Sequence, residues 1–503
     1  LPQAGCGAPV DIGSRMRLIG VGRSASRPRN PQSPGALPPM PRLVISRIDY
    51  VVTVDPTRRI IRDGTLIIQD GRIAAVGKSA DLSTGPDDEV IDGRGKLALP
   101  GVFDTHVHNA QQLGRSCGDE AYSGPERLFR RLWPIEAHMD KGDALCAARL
   151  AQVEMIRAGT TCFADPGSYF CAETARAVKE SGMRGMIART VFDMGQTSMG
   201  NLPKNFFEPT DDALTRADEM VGEFDGALDG RLKAWFSIRV PVAMSDDLLR
   251  RMGRLAEKRG VGVIGHACEN RDETVASHLK YGMGDIARLD KLGLLGPALL
   301  LLHMGWVDAR ELHLLARHDV KISLAPSASM HQAMGNISHG KTPEMLQLGL
   351  ALSLGSDSAM SSNYLDAIRQ AFLVVGGLHE ARLDPKVLAP ETAIEMLTIN
   401  GARCMQWDAD LGSLETGKKA DVTLLDIRRP EWQPIHNPIA NLVYCAHGGC
   451  ADTVIVDGKV LMRGGKVLTL NEHDLYEEAQ DRATSLIRRT GLEQIVASKW
   501  PMH

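Results

Sequence analysis

No stretch of this 503-residue sequence approaches the ~20 consecutive apolar residues that cross a bilayer, so a helical membrane span is not expected. Aromatic residues make up only 5%, too few for a series of base-stacking platforms. There is no excess of positive charge either: 58 Lys and Arg stand against 62 Asp and Glu, a formal net charge of −4. Nucleic acid and anionic membrane surfaces are thereby excluded as main partners. The nine cysteines are odd in number and scattered, which is a poor disulfide framework for a chain of this size. A reducing, cytoplasmic location is expected. Residues 1–42 lack the sustained apolar core of a signal peptide. Their Pro/Gly/Arg/Ser-rich text, as in ASRPRNPQSPGALPP, cannot build a packed element and predicts a disordered extension, with Met16 or Met40 as the biological start.

What is present is a globular balance, 43% hydrophobic and 24% charged. From Leu43 the chain runs in short β-rich segments bounded by turn residues, and the same texture returns in ADVTLLDIRR and ADTVIVDGKVLMRGGKVL. Residues 43–98 and 405–470 are therefore expected to pair as the two halves of one small β-sandwich. Between them, in 99–404, β-branched runs alternate with amphipathic stretches of helical period. Eight strand candidates fall there: Leu97–Thr105, Thr160–Asp165, Met183–Phe192, Leu232–Val240, Val261–Ala267, Ala298–Met304, Val320–Pro326 and Ala351–Asp357. Eight βα units predict an α/β fold, a closed (β/α)8 TIM-like barrel. Residues 471–503 read as a closing helix and tail. GRIAAVGKS resembles a phosphate-binding loop, but five residues separate Gly71 from Gly77 where four are required, and the segment reads as a hairpin.

In such a barrel, catalysis is built at the C-terminal ends of the strands. The first candidate ends in DTHVH (His106, His108), the fifth in GHACE (His266, Glu269), the sixth in LLHMG (His303) and the eighth in LGSD (Asp357). His106 and His108, two apart on a strand, share one face, and two imidazoles on one side are half of a metal site. His266 and Asp357 supply a third nitrogen and a carboxylate oxygen, leaving one position open for a water whose pKa a divalent ion brings toward 7. Glu269 is placed to carry protons, and His303 to orient the water or polarise the substrate. An isolated H-x-H would arise by chance among 15 histidines, most of which, such as His138, His278, His313 and His473, sit in polar helical text. Potential ligands at four strand ends at once would not.

These segments carry a resemblance. LPGVFDTHVH, RLWPIEAHM, AGTTCFAD, GHACEN, LLHMGWVD, LGSDSAMSSN, TINGAR and GSLETGKKADVTLLD together resemble the amidohydrolase superfamily, from about Leu43 to about Thr490. Within it they resemble the branch holding S-adenosylhomocysteine/methylthioadenosine deaminases, guanine and cytosine deaminases and the triazine hydrolases. The resemblance implies one divalent metal, Zn2+ or else Fe2+, on His106, His108, His266 and Asp357, with Glu269 as proton shuttle and His303 as second catalytic histidine. The carboxylated lysine of two-metal relatives has no counterpart, because Lys233 stands at the wrong end of its strand. Glu136 and Arg189 match substrate-binding positions of the nucleoside deaminases. Arg239 stands where a histidine is expected, and Ser329 where asparagine is common. Trp133 and Gln111 complete the substrate-side candidates, and Gln112 and Arg115 follow in the same loop. The implied activity is hydrolytic deamination of an amino-substituted N-heterocycle of purine, pterin, nucleoside or triazine type. Loss of chloride, alkylamine or thioether from a triazine-like ring, cyclic amide hydrolysis, and a non-catalytic metal-binding barrel are the alternatives. A homo-oligomer is compatible with the resemblance.

Overall fold

The computed structural model describes residues 42–118, 120–122 and 124–501, so the extension expected over 1–42 and both candidate starts lie almost wholly outside the described residues. Segments from before and after the barrel, within 43–100 and 422–467, meet in one nine-stranded sheet. Leu43–Val52 pairs antiparallel with Ile60–Gln69 and parallel with Lys96–Pro100. Lys96–Pro100 pairs antiparallel with Val422–Asp426 from the far end, in the register Ala98 opposite Leu424. Alternation in these strands sends Ile45, Leu66, Ala98, Val422, Leu424 and Ile455 into one apolar cluster. The GRIAAVGK segment forms the strand Arg72–Lys78, hairpin partner of Ile60–Gln69.

The barrel strands are β1 (Val102–Asp104), β2 (Thr160–Ser168), β3 (Arg184–Arg189), β4 (Leu232–Ile238), β5 (Val263–Ala267), β6 (Leu299–His303), β7 (Lys321–Leu324) and β8 (Leu352–Leu354). Each is parallel to the next in chain order. Closure comes from Thr105 N–H to the Leu354 carbonyl at 3.0 Å, Asp357 N–H to that of His106 at 2.7 Å and His108 N–H to that of Asp357 at 3.2 Å. Gly355 permits it: a Cβ there would lie 2.5 Å from His106 Cβ.

The first strand corrects the expectation. Leu97–Thr105 is two strands in two sheets, and the boundary expected after residue 98 falls inside the first of them. At Gly101 the backbone N–H turns to the Asp421 carbonyl (2.8 Å), and a Cβ would meet Thr161 Oγ1 at 2.3 Å. An apolar run continuous in sequence thus hides a change of sheet.

The helices between strands form for ordinary reasons. In Asp246–Arg259, Ser245 caps the Leu248 N–H at 3.1 Å, Leu248, Leu249, Met252 and Ala256 are buried, and Gly260 (φ 68°) ends the helix. The closing helix Glu472–Thr490 docks on Lys141–Arg157, where Arg482 and Arg489 share the buried Asp143. Among the described residues no helix is long and apolar enough to cross a membrane.

Candidate active site

Barrel closure brings the strand-end residues to one point. His106 and His108 leave β1, His266 lies in β5, His303 ends β6 and Asp357 follows β8. His108 Nε2 stands 3.3 Å from His106 Nε2 and 3.3 Å from His266 Nε2. Asp357 Oδ1 is 3.6 Å from His106 Nε2 and 3.7 Å from His108 Nε2. Burial first, then nearby positive charge, holds all three imidazoles well below their ordinary pKa, so they are neutral. A neutral imidazole nitrogen cannot satisfy two others at once by hydrogen bonds. Donors ~2.1 Å from a tetrahedrally bound ion stand about 3.4 Å apart, which matches these spacings. Three neutral imidazoles and one carboxylate therefore fit a single divalent ion. Lys233, at the other end of β4, donates to the Met405 and Gln406 carbonyls at 3.1 and 2.6 Å and offers no second metal a bridge.

The backbone is bent to make this arrangement. Cys268 (φ 51°), His303 (φ 69°), Met304 (φ 56°) and Asp357 (φ 65°) all take left-handed conformations, each at a cost on the order of 1–2 kcal/mol. Four such turns at the barrel mouth aim side chains that ideal strands would point elsewhere. The His303 ring lies 4.9 Å from that of His106, centroid to centroid. Asp357 is pushed up by burial, with His303 opposing and Glu269 adding to the shift. Glu269 is buried and lines a cavity of about 320 Å³ with Arg127, Trp306, Met334 and His339.

On the substrate side, Glu136 accepts from Gln111 Nε2 at 2.5 Å and lies 3.8 Å from the Arg239 guanidinium. Burial pushes the Glu136 carboxyl up, against the pull of Arg239. Arg239 also reaches within 3.3 Å of His266 Nε2. Glu136 shares a small recess with His108, Asp165 and Tyr169. Ser329 lines another beside His303 and accepts from the Asn336 N–H at 3.0 Å.

Other candidates are not brought into the site. Trp133 is 1% exposed and packs among Phe129, Phe192 and Phe206, so it is a core residue with no face for a ligand. Arg189 pairs with Glu208 at 2.9 Å and lies over the Tyr169 ring, 5.7 Å from its centroid, and makes no hydrogen bond or ion pair to the cluster. Gln112 and Arg115 both turn to Glu154, away from the pocket.

Three buried residues escape the sequence reading. Asp104 accepts from Ser356 Oγ (2.5 Å) and N (2.9 Å), locking β1 to the loop after β8, and burial pushes it to about 7. Asp165 accepts from Asn109 N (3.1 Å) and Nδ2 (3.0 Å) and fixes the loop after His108. Its signal was available, since it ends the second strand candidate. Arg127, 3.5 Å from Glu269, sits in a polar helical stretch that carries no such signal.

Glu273, one turn beyond Glu269, is 1% exposed, and among the described residues neither carboxylate oxygen makes a regular hydrogen bond. Burial, then Glu269 and Asp285, push its carboxyl well above the usual range. The folded protein then holds a proton that the unfolded chain releases, so stability falls as pH rises from the unfolded value near 4.5 toward the folded one. Glu273→Gln removes that loss. The variant is expected to gain about 2 °C or more on the parent in melting temperature between pH 5 and pH 8. Parallel pH dependences would show Glu273 to be charged in the fold.

Comparison with known proteins follows the same lines. A model of the Amidohydrolase family matches residues 97–461. The 5'-deoxyadenosine deaminase of Methanosarcina mazei is 33% identical over 447 residues, 89% of this chain and 99% of that protein. The 5-methylthioadenosine/S-adenosylhomocysteine deaminase of Moorella thermoacetica is 34% identical over 428 residues, 84% and 95% of the two. An adenosine deaminase structure from Xanthomonas campestris, with bound zinc, matches with TM-score 0.80 at 25% identity, covering 90% of this chain and 100% of that one. The structure of an atrazine chlorohydrolase from Arthrobacter aurescens TC1, complexed with zinc, matches with TM-score 0.80 at 22% identity over 88% and 100%, a likeness of fold alone.

Proposed function

This chain belongs to the amidohydrolase family, hydrolases of carbon–nitrogen bonds, and from that membership we propose that it is a zinc-dependent deaminase of an amino-substituted N-heterocycle. The observation that carries the proposal is the convergence of His106, His266 and Asp357 on His108, whose Nε2 lies 3.3 Å from both other imidazole nitrogens and 3.7 Å from Asp357 Oδ1, next to a buried Glu269 that opens on a cavity. These four residues would hold the ion. When bound, it supplies Lewis-acid activation of a water molecule. Glu269 would take one proton from the attacking water as its oxygen bonds to the ring carbon and deliver it to the adjacent ring nitrogen; it would then carry the proton of the new hydroxyl to the amino nitrogen, so that the C–N bond breaks, ammonia leaves and a ring carbonyl forms. His303 and Asp357 hold the attacking oxygen in line with the ring carbon. Glu136, Gln111 and Arg239 receive the rest of the substrate. The zinc-bearing adenosine deaminase supports the choice of metal.

The relatives at 33–34% identity direct the first test to 5'-substituted adenosines. Zinc-reconstituted protein is expected to release ammonia from 5'-deoxyadenosine, 5-methylthioadenosine or S-adenosylhomocysteine, or from a pterin or aminotriazine in the same panel. Release of chloride or alkylamine from triazines, with no ammonia from any member, would replace deamination by the other hydrolysis.

A further inference from the structure

Arg239 brings a fixed positive charge into the wall of a cation site. It is 5% exposed, and its closest hydrogen-bonding contact is His266 Nε2 at 3.3 Å. The nearest carboxylate oxygen paired with it among the described residues, Glu136 Oε1, is 3.8 Å away. A buried guanidinium ordinarily holds a carboxylate at about 2.7–2.9 Å, so this one is under-bonded where it stands. A guanidinium can only donate, hence His266 Nε2 must offer its lone pair. That lone pair is the one the ion requires, and it serves one partner at a time.

We infer that Arg239 competes with the metal for His266, and that metal binding hands the guanidinium over to Glu136. Two effects act in the same direction. The N–H to imidazole contact must be given up, and like charges are brought together in a poorly polarisable interior. Metal affinity is then set below what three imidazoles and a carboxylate would otherwise reach. The state of the metal is also passed to the substrate side, because Glu136 is held by Gln111 at 2.5 Å and receives Arg239 when the ion arrives.

The test needs no substrate. Metal-free protein is titrated with zinc against a chromophoric chelator in the parent, Arg239→Gln, Arg239→Lys, Glu136→Gln and the double variant Arg239→Gln/Glu136→Gln. Arg239→Gln is expected to bind zinc at least tenfold more tightly than the parent, with Arg239→Lys within about threefold of it because the charge is kept. Glu136→Gln is expected to weaken zinc binding severalfold, and the effect to shrink when Arg239 is already replaced. Unchanged or weaker binding in Arg239→Gln overturns the inference, as does a Glu136→Gln effect undiminished in the double variant. If Arg239→Gln does not fold, the lysine and Glu136→Gln arms decide: a lysine variant tenfold tighter than the parent, or an unaltered Glu136→Gln, is equally fatal. The inference rests on the four residues being metal ligands. A parent protein that binds no zinc overturns both, whereas a parent that binds zinc with Arg239→Gln unchanged overturns this inference alone.

Discussion

Glu269→Gln protein is expected to keep its zinc and lose roughly a hundred- to ten-thousandfold in kcat, the range that a positioned proton carrier supplies. Glutamine preserves the shape of the side chain and its place on the cavity wall but cannot accept and return a proton at neutral pH. The metal should remain because the four residues proposed to hold it lie just after β1, in β5 and after β8, and none of them is hydrogen-bonded to the Glu269 carboxylate. The fold should change little. The one cost foreseen is at Arg127, whose guanidinium lies 3.5 Å from Glu269 and would lose that charge partner in a setting where both side chains are under 10% exposed. Three measurements read the variant: zinc content by elemental analysis, melting temperature, and ammonia release under saturating substrate. Full zinc with turnover near the parental rate would remove Glu269 from the proton path. Lost zinc would make it part of the metal's support instead.

The residues that converge at the barrel mouth were legible because they are placed by strand ends, and strand ends follow from the alternation of β-branched runs with helical stretches. H-x-H places two rings on one face of an extended segment wherever that segment lies. What the sequence could not show is how far the backbone departs from ideal strands. The left-handed turns at Cys268, His303, Met304 and Asp357 decide where those side chains end up, and although His and Asp enter that region more readily than most residues, their types alone do not place the turns. The hand-over at Gly101 was hidden for a related reason, since an apolar run reads alike in one sheet or two. On the substrate side, motif position misled where tertiary packing had other uses for a residue. Trp133 went to an aromatic core and Arg189 to Glu208, while Glu136 and Gln111 found each other. Arg127 comes from the charged stretch ERLFRR, yet the residue is buried against Glu269. A charged residue in a polar helix carries no mark of the cavity it will border.

His108→Ala is expected to abolish both metal binding and turnover, and it is the sharpest test of the site because His108 occupies its middle. Its Nε2 lies within 3.3 Å of both neighbouring imidazole nitrogens and 3.7 Å from Asp357, so no ion can sit among the other three donors without it as a neighbour. Alanine removes the middle donor of the set, and the two imidazoles and carboxylate that remain are placed around the gap it leaves instead of on three corners of a site of their own, so their hold on zinc is weakened. Zinc content should fall from one per chain to less than about a tenth after dialysis, with activity below detection. Stability supplies an independent readout. A ligand that binds only the folded state stabilises it by about 4 kcal/mol at a thousand times its dissociation constant. Chelator should therefore lower the melting temperature of the parent by several degrees and leave that of His108→Ala where it was. The metal-free parent and the variant should then melt close together, the small remainder reflecting the cavity left by a ring that is 4% exposed. A His108→Ala protein that keeps stoichiometric zinc and still responds to chelator would move the ion away from these histidines, and the hydrolytic mechanism would have to move with it.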